Sequence, residues 1–161
     1  MKTRKIVITS LFIAISFIGA NIKIAGTVAF DSMPGFLASL IFGPLYGAIV
    51  GAVGHLLTSA TSGFPLSVPV HMIIMLDMAL TMALFGATYK FFYRTNKALA
   101  VILSSIIGVI INGPVSVFVI MPIVGKGVLA MLPILTLAAL LNIIIAHVIY
   151  VFLPGSIKSW K

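Results

Sequence analysis

The sequence predicts an all-α integral membrane protein: one domain over residues 1–161, a six-helix transmembrane bundle with both termini in the cytoplasm. Three observations carry that expectation: a composition too apolar for a soluble surface, apolar runs of spanning length, and cations gathered at one end of those runs. Of the residues, 61% are hydrophobic and 7% charged, and the mean hydropathy is +1.30. A soluble domain carries about 25% charged residues because its surface faces water. The formal charge of +8 would point to nucleic acid only if the basic groups shared a solvated face. They sit instead at the ends of apolar runs, so no nucleic-acid partner is expected. The absence of cysteine removes disulfides, thiolate metal sites and a cysteine nucleophile.

The first element is a helix over about 5–20. Its basic start, apolar core and small residues Ala14, Ser16, Gly19 and Ala20 imitate a signal peptide. Five further apolar segments come after it rather than a secreted domain, so a retained helix is expected. Residues 21–33 read as a loop or short extended segment. Pro34 suits the first turn of a helix, so the second helix is 34–42, short for a span that needs about 20 residues. Gly43-Pro44 makes a turn before the third helix, 45–60. A loop with Gly63, Pro65 and Pro69 leads to the fourth, 70–93. The fifth is 98–121 and the sixth 128–153, with 122–126 between them.

Six spans place Lys2, Arg4 and Lys5, then Lys90, Arg94 and Lys97, then Lys158 and Lys161 on one side. Only Lys23 and Lys126, of the ten cations, fall on the other. Short loops rich in Lys and Arg remain cytoplasmic, which fixes the expected orientation. The small residues Gly43, Gly47, Gly51 and Gly54 form a stripe on the third helix, spaced for close backbone approach inside the chain. Ser10 and Ala14, and likewise Ser16 and Ala20, are spaced i, i+4 on the first helix. They suit packing within the chain or against a partner protein.

Ionisable and amide groups at membrane depth usually face a cavity or one another. His55 and Ser59 lie one turn apart on the third helix. His71 lies near the outer end of the fourth helix, with Asp77 about 9 Å deeper. Asn112 falls in the outer half of the fifth helix and Asn142 near the middle of the sixth. Asn21, Lys23 and Asp31 belong to the first outer loop and are placed to close over the top. Asn112 and Asn142 equally suit interhelical hydrogen bonds, and Lys23 and Lys126 suit solvated loop charges. Asp77 is too costly at that depth to be idle. His147, toward the cytoplasmic end, reads as structural.

Reaction machinery is missing from the pattern. No G-x-x-x-x-G-K-[ST] loop, H-E-x-x-H or G-x-S-x-G is present. Two acidic residues in the whole chain do not make a two-carboxylate hydrolase or a carboxylate-rich Mg²⁺ site. A polar pocket without such groups points to binding rather than to an enzyme, with no cofactor and no metal. Two other readings stay open: a self-sufficient proton-coupled secondary transporter with Asp77 and the histidines as relay, and an accessory subunit whose polar groups only join helices. The former often uses two repeats around a midplane site, and no internal repeat is evident.

The segment Phe30-Asp31-Ser32-Met33-Pro34-Gly35-Phe36, followed by Phe42-Gly43-Pro44-Leu45-Tyr46-Gly47-Ala48 and Gly51-Ala52-Val53-Gly54-His55, resembles the substrate-binding S components of energy-coupling factor (ECF) vitamin transporters. The resemblance implies a six-helix subunit of the prokaryotic plasma membrane that captures a vitamin or vitamin precursor from outside. A transmembrane scaffold subunit and two ATPases would then drive uptake, by toppling the S component in the membrane. It implies that Ser10 and Ala14, or Ser16 and Ala20, stand for the alanine-x-x-x-alanine-like motif that docks the scaffold. By position Asn21, Lys23 and Asp31 match the first-loop lid, and His55, Ser59, His71, Asp77, Asn112 and Asn142 the pocket. The F-D-S-M-P-G-F and G-P-L-Y-G-A segments resemble the branch for α-ribazole, the benzimidazole nucleoside salvaged for cobalamin. Pantothenate, a thiamine precursor and a queuosine precursor are the alternative cargoes. For an aromatic nucleoside, Asp77 or a histidine would bond the ribose or a ring nitrogen, with Phe64 or a methionine against the ring.

Overall fold

Hydrocarbon offers no water to backbone N–H and C=O groups, so a chain of this composition must satisfy them internally. The computed structural model describes residues 2–21, 23–24 and 28–158, with residues 2, 23–24 and 28–29 given by backbone alone, and these are helical almost throughout. Lys161 lies outside the described residues. The helices are α1 (Lys2–Ala20), α2 (Met33–Phe42), α3 (Pro44–Thr61), α4 (Val68–Tyr93), α5 (Lys97–Val124), α6 (Lys126–Phe152) and a terminal turn α7 (Gly155–Lys158). Between α1 and α2, β1 (Lys23–Ile24) pairs antiparallel with β2 (Val28–Ala29) in the register Lys23 to Ala29 and Ile24 to Val28. Four helices, α1, α4, α5 and α6, are long and apolar enough to cross a membrane, whereas α2 has ten residues.

Local chemistry sets the boundaries. Gly43 alone joins α2 to α3 at φ 101°, a backbone region that L side chains avoid, and Pro44 starts α3. Asn96 caps α5, its side chain accepting from the Leu99 N–H at 3.1 Å. The fifth helix runs past its expected end at 121. Pro122 falls within its last turn, and Gly125 at φ 87° stops it. The sixth begins as a tight 3₁₀ turn over Lys126–Met131 before becoming α-helical at Leu132.

Inside α5, Pro114 has no N–H to give and its ring crowds the carbonyl one turn back. The helix answers with a π turn over Ile111–Val115, the wide ring that commonly marks functional sites. Ser116 donates to the Ile111 carbonyl at 3.0 Å and so covers an acceptor at the distorted turn.

The glycines of α3 face three different neighbours. A Cβ on Gly47 would lie 1.7 Å from Ser39 Oγ and 2.9 Å from the Gly35 carbonyl of α2. One on Gly51 would meet Met82 of α4 at 2.8 Å, and one on Gly54 would meet Ser16 Oγ of α1 at 2.2 Å. Thus α3 is the post on which α1, α2 and α4 close, and α6 packs against α2 and α5. The main core gathers Phe36 and Ile41 of α2, Met82 and Phe85 of α4, and Ile143 of α6. Apolar side chains such as Ile6, Leu11, Leu76, Ile102 and Val148 point outward, as lipid-facing positions should.

The described cations Arg4, Lys5, Lys90, Arg94, Lys97 and Lys158 stand at one end, where α1 begins, α4 meets α5 and α6 finishes. Three of them lie over tyrosine rings: Lys5 over Tyr46 at 5.4 Å, Lys97 over Tyr93 at 5.6 Å and Lys158 over Tyr150 at 5.5 Å. His147 sits toward this end, its ring 5.6 Å from Phe85 and 5.7 Å from Tyr89.

The close contacts make a test. Gly47→Ala would drive a methyl into the Gly35 carbonyl, which cannot rotate away, and overpacking of this kind costs about 1–3 kcal/mol. Thermal unfolding in detergent should show that loss, while Gly127→Ala, with open space around it, should lose far less. Equal effects would refute the role given to the α3 contact.

Candidate functional site

At the end opposite those six cations, one cavity of about 200 Å³ opens between α3, α4, α5 and α6. The loop before α2 closes one side of it. Its polar lining is Asp31, Ser32, His55, Asn112, Ser116 and Asn142, and its apolar lining includes Leu66, Ile74, Met78, Val117 and Leu135. Among the described residues no lysine or arginine lines it. A few polar groups on an apolar wall is the usual make-up of a small-molecule site.

The end of that loop at Phe30 and Asp31 is tied to α1. Ser16 of α1 donates to the Asp31 carbonyl, and the Phe30 N–H donates to the Gly19 carbonyl at 3.2 Å. Gly19 permits that approach, since a Cβ there would lie 2.5 Å from the Phe30 oxygen. Burial pushes the Asp31 carboxyl above its ordinary value of 3.8, against the N–H groups of Asp31 and Ser32, which draw it down. The wall at this point is therefore less anionic than the residue name implies.

Asn142 serves two purposes. Its Oδ1 accepts the Met33 N–H at 2.8 Å, filling one of the open donors at the start of α2. Its Nδ2 donates to the Ala138 carbonyl at 2.8 Å. Asn112 stands on the π turn, half-buried and in the cavity lining.

His55 lines the cavity from α3, and behind it lie Ser59 and His71. Ser59 Oγ is 2.9 Å from His71 Nδ1 and 3.2 Å from His55 Nε2, and the two imidazole nitrogens are 3.2 Å apart. The Phe64 ring packs 5.8 Å from that of His71. Phe64 and Ser67 hold φ 49° and 93° in the connecting loop, strain of the kind that collects at binding sites. Asp77 is buried one layer back and bonds Ser116 Oγ through Oδ2. It does not line the cavity and reaches it through Ser116.

A family model for the substrate-specific component of ECF transporters matches residues 4–154. The chain belongs to that family. No curated protein and no solved structure matches it. As an ECF substrate-specific component, it is a multi-pass membrane protein and the substrate-binding subunit of an ECF importer, a transport subunit that works with a scaffold and ATPases to take up a small molecule.

Within this component, sequence reasoning and structure meet unevenly. Asp31, His55, Asn112 and Asn142 converge on the cavity, with Ser59, His71 and Asp77 behind it. Asn21 is exposed and donates to the Phe17 carbonyl at 2.9 Å, finishing α1 rather than entering the cavity. Lys23 is given by backbone alone, so its expected place in a lid lies outside the described side chains. Of the paired small residues, Ser16 and Ala20 are buried in the chain's own packing, at 1% and 3% exposure. Ser10 and Ala14 remain exposed on α1. Ser32 and Ser116 are lining residues that sequence reasoning misses. The signal for Ser116 is Asn112-Gly113-Pro114 in an apolar helix, where a proline must distort the backbone. Ser32 gives none, because its burial comes from the docking of α2.

The Asp77–Ser116 bond sets a double-mutant test. Ser116→Ala leaves a buried carboxyl without its partner and should cost about 1–3 kcal/mol. In an Asp77→Leu background the same change should cost well under half of that in detergent melts, because no carboxyl remains to be stranded. Equal costs in both backgrounds would mean that the bond stabilises nothing.

Proposed function

We propose that this substrate-specific component captures an uncharged aromatic vitamin precursor, α-ribazole being the cargo most in keeping with it, from the outer face of the prokaryotic plasma membrane. The chain crosses the membrane six times with both termini in the cytoplasm, α2 and α3 serving as the short spans. The observation that carries the reading is the cavity's position and sign. It lies at the end away from the cations, which the positive-inside rule assigns to the outside, and its described wall offers amide, imidazole and hydroxyl groups but no cation.

A carboxylate such as pantothenate would enter beside the buried Asp31 with no lysine or arginine in the described wall to pair it, and transfer of an unpaired charge is costly. The cations of that end, Lys23 and Lys126, stand in β1 and at the start of α6. A benzimidazole nucleoside brings a flat apolar ring for Leu66, Met78 and Val117, and hydroxyls and a ring nitrogen for Asn112, His55 and Ser116. Asp77 acts on the ligand through Ser116, and Asn21 and Lys23 remain in the proposed lid. A capture subunit needs no ATP site of its own, which agrees with the absence of a P-loop.

The test is calorimetric titration of the purified protein, without ATPases, with α-ribazole and pantothenate. Tight binding of α-ribazole is expected, with His55→Ala and Asn112→Ala each weakening it by about 1–3 kcal/mol. Tight binding of pantothenate instead would overturn the neutral-ligand reading. Uptake into liposomes driven by a pH gradient alone would replace capture with proton-coupled transport.

Docking to the scaffold is assigned to the exposed face of α1 that carries Ser10 and Ala14. Ser10 returns its hydroxyl to the Ile6 carbonyl at 3.1 Å, so the face offers small, polar-satisfied positions to a second helix. Ser10→Leu with Ala14→Leu should abolish co-purification with the scaffold and ATPases and leave ligand affinity within about twofold of wild type, far below the effect of a lost buried contact. Retained assembly would remove this face from consideration.

A further inference from the structure

The triangle of His55 Nε2, Ser59 Oγ and His71 Nδ1 holds more contacts than freely placed protons can satisfy, and that restriction assigns a role to each member. Besides its two histidine contacts, Ser59 Oγ donates to the His55 carbonyl at 2.8 Å, the shortest of the set. A serine has one proton, and the backbone four residues back is its habitual acceptor within a helix. With that proton committed, Ser59 Oγ can only accept from the two rings. His71 then decides where the ring protons lie. It is more than nine-tenths buried, and its Nε2 has no partner among the described residues.

A neutral imidazole carries its proton on one nitrogen or the other. Placing the His71 proton on Nε2 strands a buried N–H, whereas an under-used lone pair is the lesser loss. The proton therefore sits on Nδ1, which donates to Ser59 Oγ at 2.9 Å and, as the second branch, to His55 Nε2 at 3.2 Å. His55 Nε2 must then be bare, since an N–H there would point at the N–H of His71. A neutral His55 consequently carries its proton on Nδ1, the nitrogen that neither Ser59 nor His71 engages, in a ring that lines the cavity.

We infer that Ser59 and His71 are positioning residues that lock His55 as a hydrogen-bond donor to the cavity, so the captured ligand presents an acceptor, a ring nitrogen or carbonyl or ether oxygen, at that point. This rests on the reading of the cavity as the ligand site. The locked ring spares the ligand the cost of ordering it, and a ligand offering an N–H at the same place meets a like donor.

The test reads the tautomer directly, before any ligand is added. Protein labelled with ¹⁵N-histidine, in detergent at a pH where the imidazoles are neutral, gives the protonation of each ring nitrogen by long-range ¹H–¹⁵N correlation. The three histidines are assigned through His55→Asn, His71→Ala and His147→Gln. Wild-type protein should show His55 protonated on Nδ1 and bare on Nε2. In His71→Ala the competing N–H is gone, so His55 should move its proton to Nε2 and donate to Ser59. In Ser59→Ala the His71 donor remains, so His55 should keep the wild-type form, which gives a second reading if His71→Ala fails to fold.

A wild-type His55 protonated on Nε2, or a tautomer unmoved in folded His71→Ala, overturns the assignment. With α-ribazole as probe, His71→Ala should bind about tenfold more weakly, the loss of one hydrogen bond, although it does not line the cavity. His55→Asn, which keeps an N–H donor near the position of Nδ1, should bind more tightly than His55→Leu. The expected tautomers with no binding of α-ribazole would support the lock and overturn the choice of ligand, so the two failures are distinguishable.

Discussion

A helix in lipid gains little by burying apolar surface against another helix, since the lipid tails are as apolar as the side chains. Association rests on how closely backbones approach and on polar groups that meet between them. In this protein that constraint falls on α3. Gly47, Gly51 and Gly54 present backbone to α2, α4 and α1 in turn, and each contact fills the space where a Cβ would stand. The rest of the bundle depends on this post. With three helices drawn to α3, His55 and Ser59 are carried to the same depth as His71 on α4. The loop from α1 is fixed over the cavity through Ser16 and Gly19, beside the same glycine column.

The polar groups of the bundle are distributed by the same rule. Most that reach the apolar interior have a partner or face the cavity, the Nε2 atoms of His71 and His147 being the buried exceptions among the described residues. Asn142 caps the start of α2 from another helix, Ser39 donates to the Met82 carbonyl at 2.9 Å, and Asp77 is held by Ser116. Asn112 and His55 belong to the cavity wall. The π turn is part of the arrangement, because Pro114 removes a backbone bond beside Asn112 and Ser116 repairs the turn while reaching Asp77.

Much of this is legible along the chain because it depends on spacing and on ends. Gly47, Gly51 and Gly54 lie within one helix, so period alone marks them for close contacts, whereas Gly43, expected in the same stripe, falls in the joint before α3. His55 and Asn112 fall in the later halves of helices separated by two reversals, and Asp31 precedes α2 at the same end, so alternation of direction alone brings these positions together. The illegible part depends on partners far away in sequence. Ser16 and Ser10 have the same helical spacing to an alanine, and only the location of α3 decides that one is buried and the other exposed. Asn142 has the type and depth of a pocket amide, yet its Oδ1 is spent on Met33, 109 residues earlier in the chain, and its Nδ2 on the Ala138 carbonyl. The depth of Asp77 suggests a ligand contact, but depth does not reveal that Ser116 stands between it and the cavity.

The two ends of the molecule also differ in what they ask of a ligand. The chain's two acidic residues, Asp31 and Asp77, are both at the cavity end, whereas the cations over Tyr46, Tyr93 and Tyr150 are at the other. Across a bilayer that separation is roughly 30 Å. The cations over the tyrosines therefore make no contact with a molecule in the cavity. A ligand at the cavity meets local groups only: a carboxyl held toward its neutral form, amides, hydroxyls and an imidazole. Such a wall discriminates by the pattern of donors and acceptors rather than by attraction of opposite charge. The tautomer of His55 then carries weight that a single surface histidine would not. Reversing one proton on that ring changes which ligands complete the wall and which leave a polar atom stranded.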